Sequence, residues 1–150
     1  AVAASEDGKF LASGERDGKV IVWDAKSHEK VVEGEEGHSD VVRSLSWTPD
    51  GNQIIAACLD YSIQIFEASN GTQIARWNAH TDYIYSIAVS RDGRCIITGS
   101  NDDTVKLWDA TTHQQIGPTL QHNGPVWPVC ISTNARYIAS AGYDKNVKLW

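Results

Sequence analysis

Short runs of apolar and β-branched residues recur along the whole chain, each bounded by Gly, Asp, Asn, Ser or Pro. VVRSLSW (Val41–Trp47), QIIAAC (Gln53–Cys58) and SIQIFE (Ser62–Glu67) are six or seven residues long, an ordinary strand length. No stretch carries the i, i+3, i+4 spacing of an amphipathic helix, so the pattern predicts an all-β chain. The separators Ser5-Glu6-Asp7-Gly8, Asp17-Gly18, Pro49-Asp50-Gly51 and Asp92-Gly93 mark hairpins, because Gly adopts positive φ without steric cost. In chain order the predicted strands are Lys9–Gly14, Lys19–Asp24 and His28–Gly34, followed by the three runs above and Thr72–Trp77. Then come Tyr83–Val89, Cys95–Ser100, Thr104–Asp109 and Gln114–Leu120, and finally Pro125–Ile131, Arg136–Ala141 and Asn146–Trp150. Two places depart from the pattern. Asn134-Ala135 replaces an Asp-Gly pair, and since Ala takes the left-handed conformation less cheaply than Gly, a turn of another type is expected. Pro128 lies within a predicted strand, where a missing N–H is tolerated at an edge or a bulge.

The groups of strands repeat. His38, His80 and His122 are 42 residues apart, and Asp17, Asp60, Asp102 and Asp144 recur at gaps of 43, 42 and 42. Six residues after each Asp stand Trp23, Phe66, Trp108 and Trp150. A period of this length signals an array of small units. It divides the chain into a partial unit over 1–36, units over 37–78 and 79–120, and a partial unit over 121–150. The runs IIAAC, IAVS and VKLW are too apolar for one sheet face to be wet, and stacking of neighbouring sheets covers both. About three and a half units read as part of a longer polypeptide. By themselves they would expose two sheet faces, from which aggregation or a closed dimer is expected.

Asp, His and a hydroxyl recur together as Asp102, His80 and Thr98, and again as Asp144, His122 and Ser140. The trio has the orienting logic of a catalytic triad. The recurrence of Trp108 and Trp150 beside it argues for a structural chain instead, because a buried indole N–H needs an acceptor and the hydroxyl supplies one. Ser13, Asp17 and Trp23 carry the same residue types in the first unit. The second keeps His38 and Asp60 but has Ala56 and Phe66 in place of the hydroxyl and the indole. Donor and acceptor disappear together there, as a buried network requires.

These residues, with the pairs Trp23-Asp24 and Trp108-Asp109, resemble the WD-repeat family along the whole chain. The resemblance implies a β-propeller of four-stranded antiparallel blades, most often seven, and the same Trp–Thr/Ser–His–Asp network. It also implies that remaining blades of the same polypeptide close the ring, and that partners dock on a face built from three positions per blade. Here those positions are Val41, Arg43 and Leu59; Tyr83, Tyr85 and Asn101; and Pro125, Trp127 and Tyr143, with Arg16 from the first unit. Of these, Arg43, Tyr83, Tyr85, Asn101, Trp127 and Tyr143 are the candidate protein-binding residues, since aromatic and Arg side chains dominate interface hot spots. LWDATTHQQIGPTL and GPTLQHNGPV are similar to propellers of large fungal proteins, some of which follow a nucleotide-binding module of the NACHT type.

Composition narrows the function. A formal net charge of −6 provides no general footprint for nucleic acid. No apolar run reaches membrane-spanning length. Three cysteines, Cys58, Cys95 and Cys130, with no C-x-x-C spacing argue against a disulfide framework or a zinc site and favour a reducing compartment, cytoplasm or nucleus. No phosphate-cradling or H-E-x-x-H motif occurs, so neither cofactor nor metal is expected. The expected function is a non-enzymatic scaffold for a protein or peptide. The alternatives are the ligand-sensing arm of a NACHT-type signalling ATPase, and a subunit of a chromatin or RNA-processing assembly.

Overall fold

The computed structural model describes residues 1–34 and 40–150. His38 and the Glu35-Glu36 connection lie outside the described residues. Four antiparallel sheets follow one another along the chain, each a simple meander. The first holds β1 (Val2–Ala4), β2 (Phe10–Gly14), β3 (Val20–Asp24) and β4 (Lys30–Glu33). The second holds β5 (Val42–Trp47), β6 (Gln53–Cys58), β7 (Ser62–Glu67) and β8 (Gln73–Asn78). The third holds β9 (Ile84–Val89), β10 (Cys95–Ser100), β11 (Thr104–Asp109) and β12 (Gln115–Gln121). The last holds β13 (Val126–Ile131), β14 (Ile138–Gly142) and β15 (Val147–Leu149). Strand β1 was not among the strands expected from the pattern; three residues of Val and Ala are too few to show an alternation, and pairing with Leu11–Ser13 defines them.

The strands β1, β5, β9 and β13 neighbour one another, so the sheets fan around a common inner edge as propeller blades. Successive residues of a strand face opposite ways. Ile54 and Ala56 of β6 therefore enter the core shared with the first blade, where they meet Ala12, Val22 and Val32. Ile55 and Ala57 of the same strand enter the next core, with Ile84, Ile87 and Ile96. Ile97 and Val105 meet Val126 and Val129 in a third. Full burial of such a side chain contributes about 1.5–3 kcal/mol, so the inter-blade layers, rather than the hairpins, carry the stability. Glycine sets how closely blades approach: a Cβ on Gly99 would lie 2.8 Å from Val129 and 2.9 Å from Val126. Serines stitch the inner strands, with Ser44 Oγ accepting from Ile87 N and Ser86 Oγ from Val129 N, both at 3.2 Å. At the two ends of the array Leu11, Val147 and Leu149 are exposed.

The turns repeat as faithfully as the strands. Ser5, Thr48, Ser90 and Ser132 each accept a backbone bond from the residue three positions on, at 2.8–3.0 Å. Their hydroxyls donate to Asp7, Asp50, Asp92 and Asn134 at 2.6–2.7 Å. The residue after each of these acceptors has positive φ: Gly8, Gly51 and Gly93 at 70–72°, and Ala135 at 54°. The expected change of turn type at Asn134-Ala135 is therefore not found. Asn134 Oδ1 makes the bonds of the missing Asp, and they hold Ala135 left-handed despite its Cβ. Pro128 sits where β13 shifts register between Val126 and Val129, so no ladder bond is missing.

Candidate functional site

In the third blade a continuous hydrogen-bond chain crosses from β11 to the loop before β9. The indole N–H of Trp108 donates to Thr98 Oγ1 at 2.9 Å, and Thr98 Oγ1 lies 2.7 Å from His80 Nε2. An indole N–H only donates, so the Thr98 proton is available for His80 Nε2, and the other ring nitrogen presents its N–H to Asp102 Oδ2 at 2.9 Å. Asp102 also accepts from Thr81 N at 3.1 Å and from the Thr104 hydroxyl at 2.5 Å. Burial lowers the His80 pKa against the opposing pull of Asp102. At Asp102, burial works to raise the carboxyl, but the bonds from His80, Thr104 and Thr81 outweigh it and hold it well below the carboxylate range. A neutral imidazole beside a carboxylate is the state this proton order requires. The fourth blade repeats the chain, with Trp150 N–H to Ser140 Oγ at 2.8 Å, Ser140 to His122 Nε2 at 2.8 Å, and His122 Nδ1 to Asp144 at 3.0 Å. Thr98 and Ser140 are buried and engaged on both sides, so this chain braces β-strands and presents no nucleophile to solvent.

The other two blades carry parts of it. Trp23 N–H donates to Ser13 Oγ at 2.8 Å, while Asp17 accepts from Lys19 N at 3.2 Å. Asp60 accepts from Ser62 N and Oγ at 3.0 and 2.6 Å and pairs with Arg76 at 3.2 Å; its counterpart His38 lies outside the described residues. Ala56 and Phe66 are buried in an apolar layer. Beside them Gln64 is wholly buried, and neither of its amide atoms has a hydrogen-bond partner among the described residues. Lys106 and Lys148 occupy the same place in their blades, donate to the carbonyls of Ala79 and Gln121 at 2.8 and 2.7 Å, and lie over the Trp108 and Trp150 rings.

The aromatic residues gather on the rim formed by the histidine loops and the Asp turns. In three blades the inner strand bulges there: the ladder passes from Val42 to Ser44, from Ile84 to Ser86, and from Val126 to Val129. The extra residues are Arg43, Tyr85 and Trp127 with Pro128, and a bulge turns such a side chain out of the alternation. Trp127, 51% exposed, meets Tyr143, 67% exposed, edge to face at 5.8 Å. Tyr83 lies 5.7 Å from Tyr61, which the repeat pattern had not singled out. Tyr61 follows the structural Asp60 in the left-handed conformation at φ 69°, where Gly18 stands in the first blade. Between the two aromatic pairs, Tyr85 O–H donates to Asn101 Oδ1 at 3.2 Å and Asn101 Nδ2 to Asp82 at 2.7 Å. Arg43 is exposed.

A family model described as WD domain, G-beta repeat matches residues 1–24, 30–67, 71–109 and 114–150. The chain belongs to the WD-repeat family. Among its relatives, the "66 kDa stress protein" of Physarum polycephalum is 36% identical over 69 residues, covering 46% of this chain and 12% of that protein. "Ribosomal RNA-processing protein 9" of Saccharomyces cerevisiae is 35% identical over 75 residues, covering 49% and 13% respectively. "Actin-interacting protein 1" of Drosophila melanogaster is 40% identical over 67 residues, covering 44% and 11%. The chain thus spans about an eighth of the length of these relatives.

WD-repeat proteins are typically non-enzymatic scaffolds that bind protein partners. Seen as WD-repeat blades, the sheets separate two kinds of polar residue. Thr98, Asp102 and their equivalents recur because they brace a blade from within, and the second blade replaces part of that bracing with Ala56 and Phe66. Tyr61, Tyr85 and Trp127 stand at repeat positions occupied elsewhere by Gly18, Asp103 or Arg43, so their chemistry belongs to this chain. Tyr61 was missed because the turn it occupies elsewhere carries Gly, Asp or Lys, and only an unfavourable left-handed Tyr marks the difference.

Proposed function

We propose that this chain is part of a protein-interaction scaffold that captures a protein or peptide on the rim carrying Arg43, Tyr61, Tyr83, Tyr85, Asn101, Trp127 and Tyr143. One observation supports it above the rest: Trp127 and Tyr143 leave more than half their surface in water while packed edge to face on a bulge. A pair of large rings held out of the core in a fixed arrangement loses little entropy on contact and offers the residue types that dominate hot spots. Free Cys58, Cys95 and Cys130 fit action in a reducing compartment, cytoplasm or nucleus.

The test is partner capture from the source cell followed by affinity measurement with Trp127→Ala and Tyr143→Ala. Each is expected to weaken capture at least tenfold, corresponding to about 1.4 kcal/mol or more, with little change in melting temperature. Unchanged capture overturns the reading, and a large melting loss assigns the rings to packing. A second reading, a subunit of an RNA-processing assembly, draws on likeness to the yeast ribosomal RNA-processing protein. It differs in predicting co-purification of RNA or ribonucleoprotein. The sensor arm of a NACHT-type ATPase would instead bring a Lys-Ser/Thr phosphate loop on the same polypeptide.

A further inference from the structure

Four rings of the aromatic rim come in two pairs. Trp127 and Tyr143 meet at 5.8 Å and 72°, and Tyr61 and Tyr83 at 5.7 Å and 44°. All four are exposed, Tyr61 and Tyr83 at 39% each. Rings crossed at such angles present ridges rather than one flat plate, and the pairing holds them in place before anything binds. Each ring also carries a polar atom that can donate: the indole N–H of Trp127 and the hydroxyls of Tyr61, Tyr83 and Tyr143. None of these donors is spent on an acceptor among the described residues. Tyr85 is the contrast, since its hydroxyl donates to Asn101 at 3.2 Å. The rim therefore offers apolar ridges edged with free donors. Asp103 stands where the third blade meets the fourth, with its backbone carbonyl accepting from His122 N at 2.8 Å. Its carboxylate meets neither a cation nor a donor among the described residues.

We propose that the ligand of this rim is a proline-rich segment in the polyproline II conformation, with a basic residue beside its prolines; this rests on the rim being the binding face. Proline matches what the four rings present. Its own ring is apolar and rigid, its carbonyl accepts, and it has no N–H that would need an acceptor. A polyproline helix makes no internal hydrogen bonds, so its carbonyls are free for the indole and phenol donors. It is also ordered before it binds, so little chain entropy is lost on contact. Other peptide conformations match less well. An α-helix uses its carbonyls internally, and an added strand needs an open sheet edge with backbone N–H and C=O groups in alternation. The rim presents side-chain donors on loops, turns and bulges instead. Asp103 supplies the charge term: an unpaired carboxylate on a chain of net charge −6 favours a cationic residue in the ligand.

The experiment is fluorescence anisotropy of fluorescein-labelled Arg-Pro-Pro-Pro-Pro-Pro-Pro with the full-length protein. A Kd of about 0.1 mM is expected. Trp127→Ala and Tyr143→Ala should each weaken binding about tenfold or more without moving the melting temperature. Tyr143→Phe keeps the ring and removes only the donor, and should weaken binding about threefold. Asp103→Asn should weaken the arginine peptide about threefold and leave Gln-Pro-Pro-Pro-Pro-Pro-Pro unaffected. Arg-Gly-Ser-Gly-Ser-Gly-Ser, which keeps the charge without the prolines, should not bind. No binding of the proline peptide, equal binding of the Gly-Ser peptide, full binding by Trp127→Ala and Tyr143→Ala, or no effect of Tyr143→Phe would each overturn the inference. Competition against the protein captured through the rim separates the two readings. If capture needs Trp127 but the proline peptide neither binds nor displaces the partner, the rim stands and the proline-rich ligand falls. If capture ignores Trp127, the rim itself falls.

Discussion

Replacing Thr98 by Ala removes one oxygen from the centre of the third blade. That oxygen accepts from Trp108 at 2.9 Å and bonds His80 at 2.7 Å, and it is wholly buried, so water does not replace it. Two groups are orphaned, the indole N–H and His80 Nε2. At about 1–3 kcal/mol for each unpaired buried group, Thr98→Ala should cost roughly 2–5 kcal/mol. Trp108→Phe removes the donor and leaves the Thr98–His80 bond in place, with a moderate loss of packing. In the double variant the indole N–H no longer exists, so that part of the Thr98→Ala penalty disappears. The second blade already holds this combination as Ala56 and Phe66, both buried. The two changes should therefore be less costly together than their sum by about 1–2 kcal/mol. The assay is a double-mutant cycle by urea denaturation of the full-length protein at pH 7.5, with constant slope confirming that only stability has changed. Additivity within about 0.5 kcal/mol would refute the chain as a coupled unit.

Three further outcomes follow from the same geometry. Since burial lowers the His80 pKa in the fold, the unfolded chain takes up the proton first on acidification, and stability should fall once the pH drops below about 6.5, by at most about 1.4 kcal/mol per pH unit for this group. Asp102, also lowered, adds a further loss as the pH falls below its unfolded value of about 3.9. Urea midpoints between pH 8 and pH 5, compared with His80→Gln, measure the first effect; a flat profile contradicts it. Ala135→Gly should raise stability by about 1 kcal/mol, because the left-handed backbone is strained for Ala and free for Gly. Thermal unfolding checks this, and a decrease would mean that the turn is held by something other than Ser132 and Asn134. Gln64→Leu should also stabilise, by about 1–3 kcal/mol, since its amide is buried without partners among the described residues; a lower urea midpoint would show that the amide is bonded.

Much of this protein is legible along the chain because each hairpin is encoded within itself. Alternating Ile and Ala in β6, Ser-x-Asp-Gly turns and a near-constant period depend on residues fewer than ten apart, and local sterics act on them wherever they stand. The residue types at Thr98, His80, Asp102 and Trp108 likewise follow from the period together with the chemistry of a buried indole. Where single residues break a local preference, the repeated turn decides: Ala135 is left-handed because Ser132 and Asn134 bond its turn, and Tyr61 takes the positive φ that Gly18, Asp103 and Lys145 have in the other blades. Tertiary structure decides elsewhere. The bulges at Arg43, Tyr85 and Trp127 add one residue to an alternation without altering its composition, so they become visible only in the pairing register. The stack of Trp77 on His113 likewise joins residues of different blades that mean nothing separately. Only packing of blade on blade brings the two rings to 4.8 Å of each other.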